Sequence, residues 1–109
     1  MRTDTVLLPE QTVIFLSGEI DLGTVGTLYE AVRACLDTRP ARLLIDLHEV
    51  SFCDCVGLRA LLQTKDETLR AGTDFRIRGP LRPLVARLVD HTRTADRLGL
   101  SPAAPEGPV

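Results

Sequence analysis

Two short apolar runs, Thr5-Val6-Leu7-Leu8 and Val13-Ile14-Phe15-Leu16, open the chain. Pro9-Glu10-Gln11-Thr12 separates them with residues that favour a turn, so the pattern predicts a β-hairpin at the edge of a sheet. The period then changes. Leu22, Val25, Leu28, Tyr29, Val32 and Leu36 recur every three or four residues, which marks one face of a helix closed by Pro40. Thr24 is the natural cap for its start, although Gly23 and Gly26 each weaken the first turn by up to about 1 kcal/mol relative to Ala. Leu43-Leu44-Ile45, between Arg42 and Asp46, is too short for a helix and reads as a central strand. A second helix is expected from Leu58 through Leu61, Leu62 and Leu69, ending at Gly72. Phe75 and Ile77 alternate with Arg76 and Arg78 as a half-buried strand does, before Gly79-Pro80 breaks the chain. Leu81, Leu84, Val85, Leu88 and Val89 then trace the best amphipathic stripe, and Ala95, Leu98 and Leu100 suggest one further turn. Ser101 to Val109 has no pattern and three prolines, so a disordered tail is expected there. Strands alternating with helices after an opening hairpin imply an α/β layer with the helices on one main face.

At 109 residues the chain forms one domain with room for a real core. Thirteen basic against 15 acidic residues leave a net charge of -2, without the basic excess that nucleic-acid phosphates demand. Aromatic residues make up only 4%, so platforms for stacking bases are scarce. No apolar run reaches the roughly 18 residues that span a bilayer, and the first residues lack the layout of a signal peptide, so a cytoplasmic protein is expected. Cys35, Cys53 and Cys55 are odd in number, which suits reduced thiols better than a disulfide framework.

The unusual residues gather where the central strand gives way to the second helix. Asp54 can cap that helix, and Cys55 places a small nucleophilic side chain where unsatisfied backbone N–H groups would receive an anion attached to it. The plainest reading of Cys55 is a packed, unreactive thiol. A redox-sensing thiol, alone or with Cys53, is a second reading. A zinc site built on Cys53, Cys55 and His48 would rest on one C-x-C and one His, and a Cys–His–Asp triad has no spacing to support it. No Gly-rich phosphate cradle is present, so neither a cofactor nor an enzyme activity is expected. Asp46 reads as a residue that ends a strand and caps the next turn. Arg76, Arg78, Arg82, Arg87, Arg93 and Arg97 read as solvated surface.

Three segments carry a family resemblance. Ser17-Gly18-Glu19-Ile20-Asp21-Leu22, then Leu44-Ile45-Asp46-Leu47 with Val50, and then Phe52-Cys53-Asp54-Cys55-Val56-Gly57-Leu58 resemble, in order and spacing, the successive motifs of the STAS domain. This is the family of bacterial anti-sigma factor antagonists. The similarity runs from Thr5 to Leu100, so residues 1–100 are expected to form the domain and 101–109 the tail. It implies a mixed sheet of four to five strands with three to four helices packed mainly on one face. It further implies no catalysis and a partner: a kinase-like anti-sigma factor, an ATPase that otherwise sequesters a sigma factor. In that partner-switching scheme the kinase phosphorylates a Ser at the start of the second helix, and the phosphorylated antagonist lets go.

By the same resemblance, Asp54 matches the family's Asp, Gly57 and Leu58 its Gly-Leu, and Cys55 stands in the place of the phosphorylated Ser. Val56 replaces a small residue. The partner-binding residues so implied are Asp21, Asp54, Cys55, Val56, Gly57 and Leu58, with the Asp21 loop at the same end of the sheet. A thiol is close in shape to a hydroxyl but is not an ordinary acceptor for a Ser/Thr kinase. Ser51 and Thr64 are nearby hydroxyls, yet neither sits at the helix start. The alternative functions are a scaffold or interaction module that is never phosphorylated, and a thiol-based sensor.

Overall fold

In the computed structural model the structure describes residues 1–99; Leu100 and the expected tail lie outside the described residues. The hairpin forms as its pattern predicts, with β1 (Arg2–Leu7) antiparallel to β2 (Gln11–Ile20). The Leu8 N–H closes the turn on the Gln11 carbonyl at 2.8 Å. Then follow α1 (Val25–Asp37), β3 (Arg42–Cys53), α2 (Cys55–Arg70), β4 (Asp74–Arg78), α3 (Pro83–Thr92) and the single turn α4 (Ala95–Leu98). The sheet order is β1-β2-β3-β4, and β2, β3 and β4 run parallel. No described helix is long and apolar enough to cross a membrane.

Side-chain alternation sorts the sheet into two faces. One carries Ile14 and Leu16, Ile45 and Leu47, Phe75 and Ile77 into a single core, where they meet Leu28, Val32 and Cys35 of α1 and Leu58, Ala60 and Leu61 of α2. Val85 and Val89 of α3 and Leu98 of α4 complete that core. The register puts Val13, Phe15, Asp46, Arg76 and Arg78 on the opposite face, and the core takes none of them. Fold class and one-sided helix packing therefore match the sequence reading, with four strands.

Several details differ. Central β3 is 12 residues long, not the short run around Leu43-Leu44-Ile45, because Asp46 does not end it. Asp46 sits mid-strand on the helix-free face, where its carboxylate accepts the His48 N–H at 2.8 Å and Arg78 Nε at 2.7 Å. Arg78 in turn lies 5.6 Å from the centroid of the Phe15 ring, so it is tied down and not freely solvated. The β2–β3 register slips twice beyond this cluster, between Phe15 and Ser17 and between Gly18 and Glu19, and the later buried residues Leu47, Val50 and Cys53 fall three apart instead of two.

Leu22 points to solvent and precedes α1. In α2 the buried stripe runs through Leu61, Thr64 and Thr68, and Leu69, one position further round, is exposed. Helix α3 starts at Pro83, whose missing N–H costs nothing in the first turn, so Leu81 lies outside it. Leu84 is exposed.

Ile45 is wholly buried in the strand that both parallel neighbours pair with, where little can collapse around a void. Ile45→Ala is expected to lower unfolding free energy by about 2–5 kcal/mol, read from denaturant midpoints.

Candidate functional site

β2 and β3 continue beyond β4. Their last paired residues are Ile20 and Cys53, whereas β4 stops opposite Asp46. Parallel strands that end together release their loops side by side, at the carboxyl edge where α/β sheets gather ligands and partners. Asp21 and Asp54 are the first residues past that edge, and the Asp54 N–H still reaches the Ile20 carbonyl at 3.3 Å.

Asp54 turns the chain into α2. Its backbone is extended, with φ -100° and ψ -174°, and its carboxylate accepts the Gly57 N–H at 2.8 Å, so it caps the helix as the sequence predicts. Cys55 is therefore the first helical residue. The helix presses close against the end of β2: a Cβ on Gly57 would lie 2.3 Å from the Ile20 carbonyl oxygen and 2.9 Å from Cys53 Sγ. Only a residue without a side chain fits there, which is the physical reason for glycine in this motif.

The Asp21 turn is held by its own side chains. The Asp21 carboxylate accepts the Gly23 N–H at 2.9 Å, while its carbonyl accepts the N–H groups of Thr24 and Val25, each at 3.0 Å. Thr24 occupies the cap position of α1 but makes no side-chain bond to that helix. Its hydroxyl instead donates to the Glu19 carbonyl at 2.8 Å and accepts the Asp21 N–H at 2.9 Å, which ties the turn back onto β2.

The six expected contact residues thus come to one end of the molecule, at different depths. Cys55 and Val56 are exposed, Asp21 and Asp54 half-buried, and Gly57 and Leu58 buried. The last two seat α2 on the sheet and present nothing at the surface. In their place the same end offers two apolar side chains that pattern reading did not count among the contact residues. Leu22 is 75% exposed on the Asp21 turn, and Phe52 is 38% exposed one residue before the end of β3, with Val56 beside Cys55 at 41%. Leu22 had looked like the first residue of a helical stripe, and only its place on the sequence side of Thr24 hinted otherwise.

Cys55 is exposed and not packed, whereas Cys35 and Cys53 are buried. Burial first, then the charges at Asp54 and Cys55, push Cys53 up to about 12. His48 is exposed with Nδ1 3.2 Å from Glu49, and no group of three or more metal-ligating side chains comes together among the described residues. Ser51 donates to the Gly18 carbonyl at 3.3 Å, and Thr64 is fully buried in mid-α2, so neither hydroxyl stands at the helix start. Arg82, ahead of α3, reaches β3 below the site, donating to the His48 carbonyl at 3.2 Å and to Glu49 at 2.6 Å.

Residues 2–104 match the family described as the STAS domain. This chain belongs to that family. It is similar to an anti-sigma factor antagonist of Mycobacterium paratuberculosis of known structure, at 31% identity and a TM-score of 0.79 over 94% of this chain and 86% of the other. It also matches the anti-sigma-F factor antagonist RsfB of Mycobacterium tuberculosis, 40% identical over 55 residues, which are 50% of this chain. The chain spans about half the length of the curated relatives it matches. The fold is shared with unphosphorylated SpoIIAA, an anti-sigma factor antagonist, at a TM-score of 0.72 and 15% identity over 87% of this chain and 84% of that one.

Two outcomes test this STAS site. Gly57→Ala is expected to cost about 1–3 kcal/mol of stability, because a rigid backbone oxygen must move, and to shift the denaturation midpoint accordingly. With iodoacetamide at pH 8, mass spectrometry is expected to find one rapid adduct, at Cys55. Cys35 and Cys53 should react only after denaturation, since burial shields both thiols and pushes both above the ordinary thiol range.

Proposed function

We propose that the protein is an anti-sigma factor antagonist that binds a kinase-like anti-sigma factor in the cytoplasm, without catalysis of its own. The observation that carries this reading is the locking together of the Asp21 turn and the first turn of α2 at the end of β2 and β3. A family relative 31% identical over nearly the whole chain bears the same functional name. The docking surface is then Asp21, Asp54, Cys55 and Val56, with Leu22 and Phe52 as apolar anchors, and Gly57 and Leu58 hold it in place from beneath.

Cys55 sits at the phosphoacceptor position of the scheme and is exposed there. A phosphate would bring about -1.5 to -2 charges and three acceptor oxygens beside the Asp54 carboxylate, enough to disrupt an apolar contact around Leu22 and Val56. A thiol offers a Ser/Thr kinase no ordinary acceptor, so this chain holds its partner without the usual release. SpoIIAA, which shares the fold at low identity, is known in both unphosphorylated and phosphorylated forms.

The test compares the parent protein with Cys55→Asp and Cys55→Ser as bait in the source cytoplasm, retained proteins being identified by mass spectrometry. The parent and Cys55→Ser are expected to retain a small kinase-like ATPase, and Cys55→Ser to gain phosphate when that ATPase and ATP are supplied. Cys55→Asp should bind at least about tenfold more weakly, the effect of one unfavourable charge in a desolvated contact. Equal binding by all three would sink the site assignment, and recovery of no such ATPase would sink the antagonist reading.

A further inference from the structure

The outer edge of β1 is unlike the other edge of the sheet. Strand β4 is five residues long, alternates three charged side chains along its length, and stops at Gly79-Pro80, all of which discourage pairing with another chain. Strand β1 is one residue longer and is likewise followed by a proline, Pro9, but past Asp4 it carries no charge. Thr5-Val6-Leu7-Leu8 is an uncharged run of residues that favour strands, without Pro, Lys or a bulge, and β1 pairs with β2 in unbroken register from Arg2 to Leu7. Val6, Leu7 and Leu8 are 43%, 66% and 47% exposed. Among the described residues no backbone or side-chain hydrogen bond reaches the side of β1 away from β2. A straight, uncharged, unpaired edge of this kind is a template for another strand.

We propose that this edge is a self-association surface, on which two copies pair their β1 strands antiparallel about a two-fold axis at Thr5 to make one eight-stranded sheet. The occupant follows from symmetry and charge. A two-fold axis normal to the sheet keeps the helices of both copies on one side and sets each β1 residue against a residue of the same face. The axis must then pass through a residue. At Thr3 the ladder leaves Val6, Leu7 and Leu8 uncovered, and at Asp4 it sets two carboxylates directly opposite each other. At Val6 it shrinks to the span from Asp4 to Leu8. At Thr5 it covers the whole span from Arg2 to Leu8, with Asp4 facing Val6 of the second copy, Thr3 facing Leu7, and no like charges directly opposed. Each Asp4 stays neutralised by its own Arg2, 3.2 Å away. The interface lies at one margin of the sheet, away from the β2–β3 end that carries Cys55, so it does not rest on the antagonist reading.

The test is sedimentation velocity of the full chain over a concentration series. The parent is expected to move from one to two chain masses as concentration rises. Thr5→Lys sets two ammonium groups together at the axis, and Leu7→Lys charges the exposed edge. Each is expected to weaken the dimer at least tenfold while leaving the circular-dichroism melting curve in place, since both side chains are exposed. In a Cys55→Ser background, Thr5→Cys is expected to give a covalent dimer under a mild thiol oxidant, the two thiols yielding their protons and electrons to form one S–S bond. Opposed Cβ atoms in an antiparallel ladder lie about 4.5–5.5 Å apart, close to disulfide reach. A protein that stays monomeric throughout, or a dimer that survives both Lys variants, overturns the proposal. A dimer that Thr5→Cys does not cross-link overturns the Thr5-centred register.

Discussion

The contact between the start of α2 and the end of β2 organises the end of this molecule that carries the candidate site. Where the Gly57 backbone meets the Ile20 carbonyl, there is no room for a single carbon atom. That approach fixes the direction in which α2 leaves the sheet, and so the position of Asp54 and Cys55 relative to the Asp21 turn. It also presses Cys53 into the same small space, which buries that thiol and leaves its neighbour two residues on in solvent. Two cysteines almost adjacent in sequence thus acquire opposite chemistry from one steric constraint.

Around this contact the polar groups are satisfied locally. The Asp54 carboxylate takes an N–H of the first turn of α2, and the Asp21 carboxylate and Thr24 hydroxyl do the same for the neighbouring turn. Each acid is anchored through one oxygen and remains half-exposed. An arrangement of this kind holds a surface ready for docking at little ordering cost when a partner arrives. It also places the Asp54 carboxylate beside the first residue of α2, so that a further negative charge there acts against an acid already held in place.

Much of the fold was legible from periodicity. The hairpin, α1, β4 and the sequence of alternating elements follow from where apolar residues fall, because one face of each element is buried and the other is wet. What escaped is equally physical. The full length of β3 was hidden by His48-Glu49 and by the slip in register, which breaks the alternation that pattern reading depends on. Asp46 looked like a terminator because its ion-pair partner Arg78, and the Phe15 ring that Arg78 lies over, come from two other strands. At the site, Asp54 as a cap could be read from its place before a helix. The burial of Gly57 and Leu58 and the exposure of Leu22 depend on how α2 crosses the end of β2, and no local pattern encodes that crossing.

Beyond Asp46 the sheet loses β4, and beyond Ser17 it loses β1 as well, so that two strands alone run on to Ile20 and Cys53. The site therefore stands on a cantilever rooted in a four-stranded platform. Two things set its angle: the slip in register at its root, and the brace from Arg82 to the His48 carbonyl and the Glu49 carboxylate along its side. Cys55 and Asp21 ride together at the tip, since β2 and β3 tilt as one. The aim of the proposed docking surface is thus governed from residues remote from it, and a lineage could re-point this end of the molecule by altering the root or the brace while every residue at the tip stayed the same.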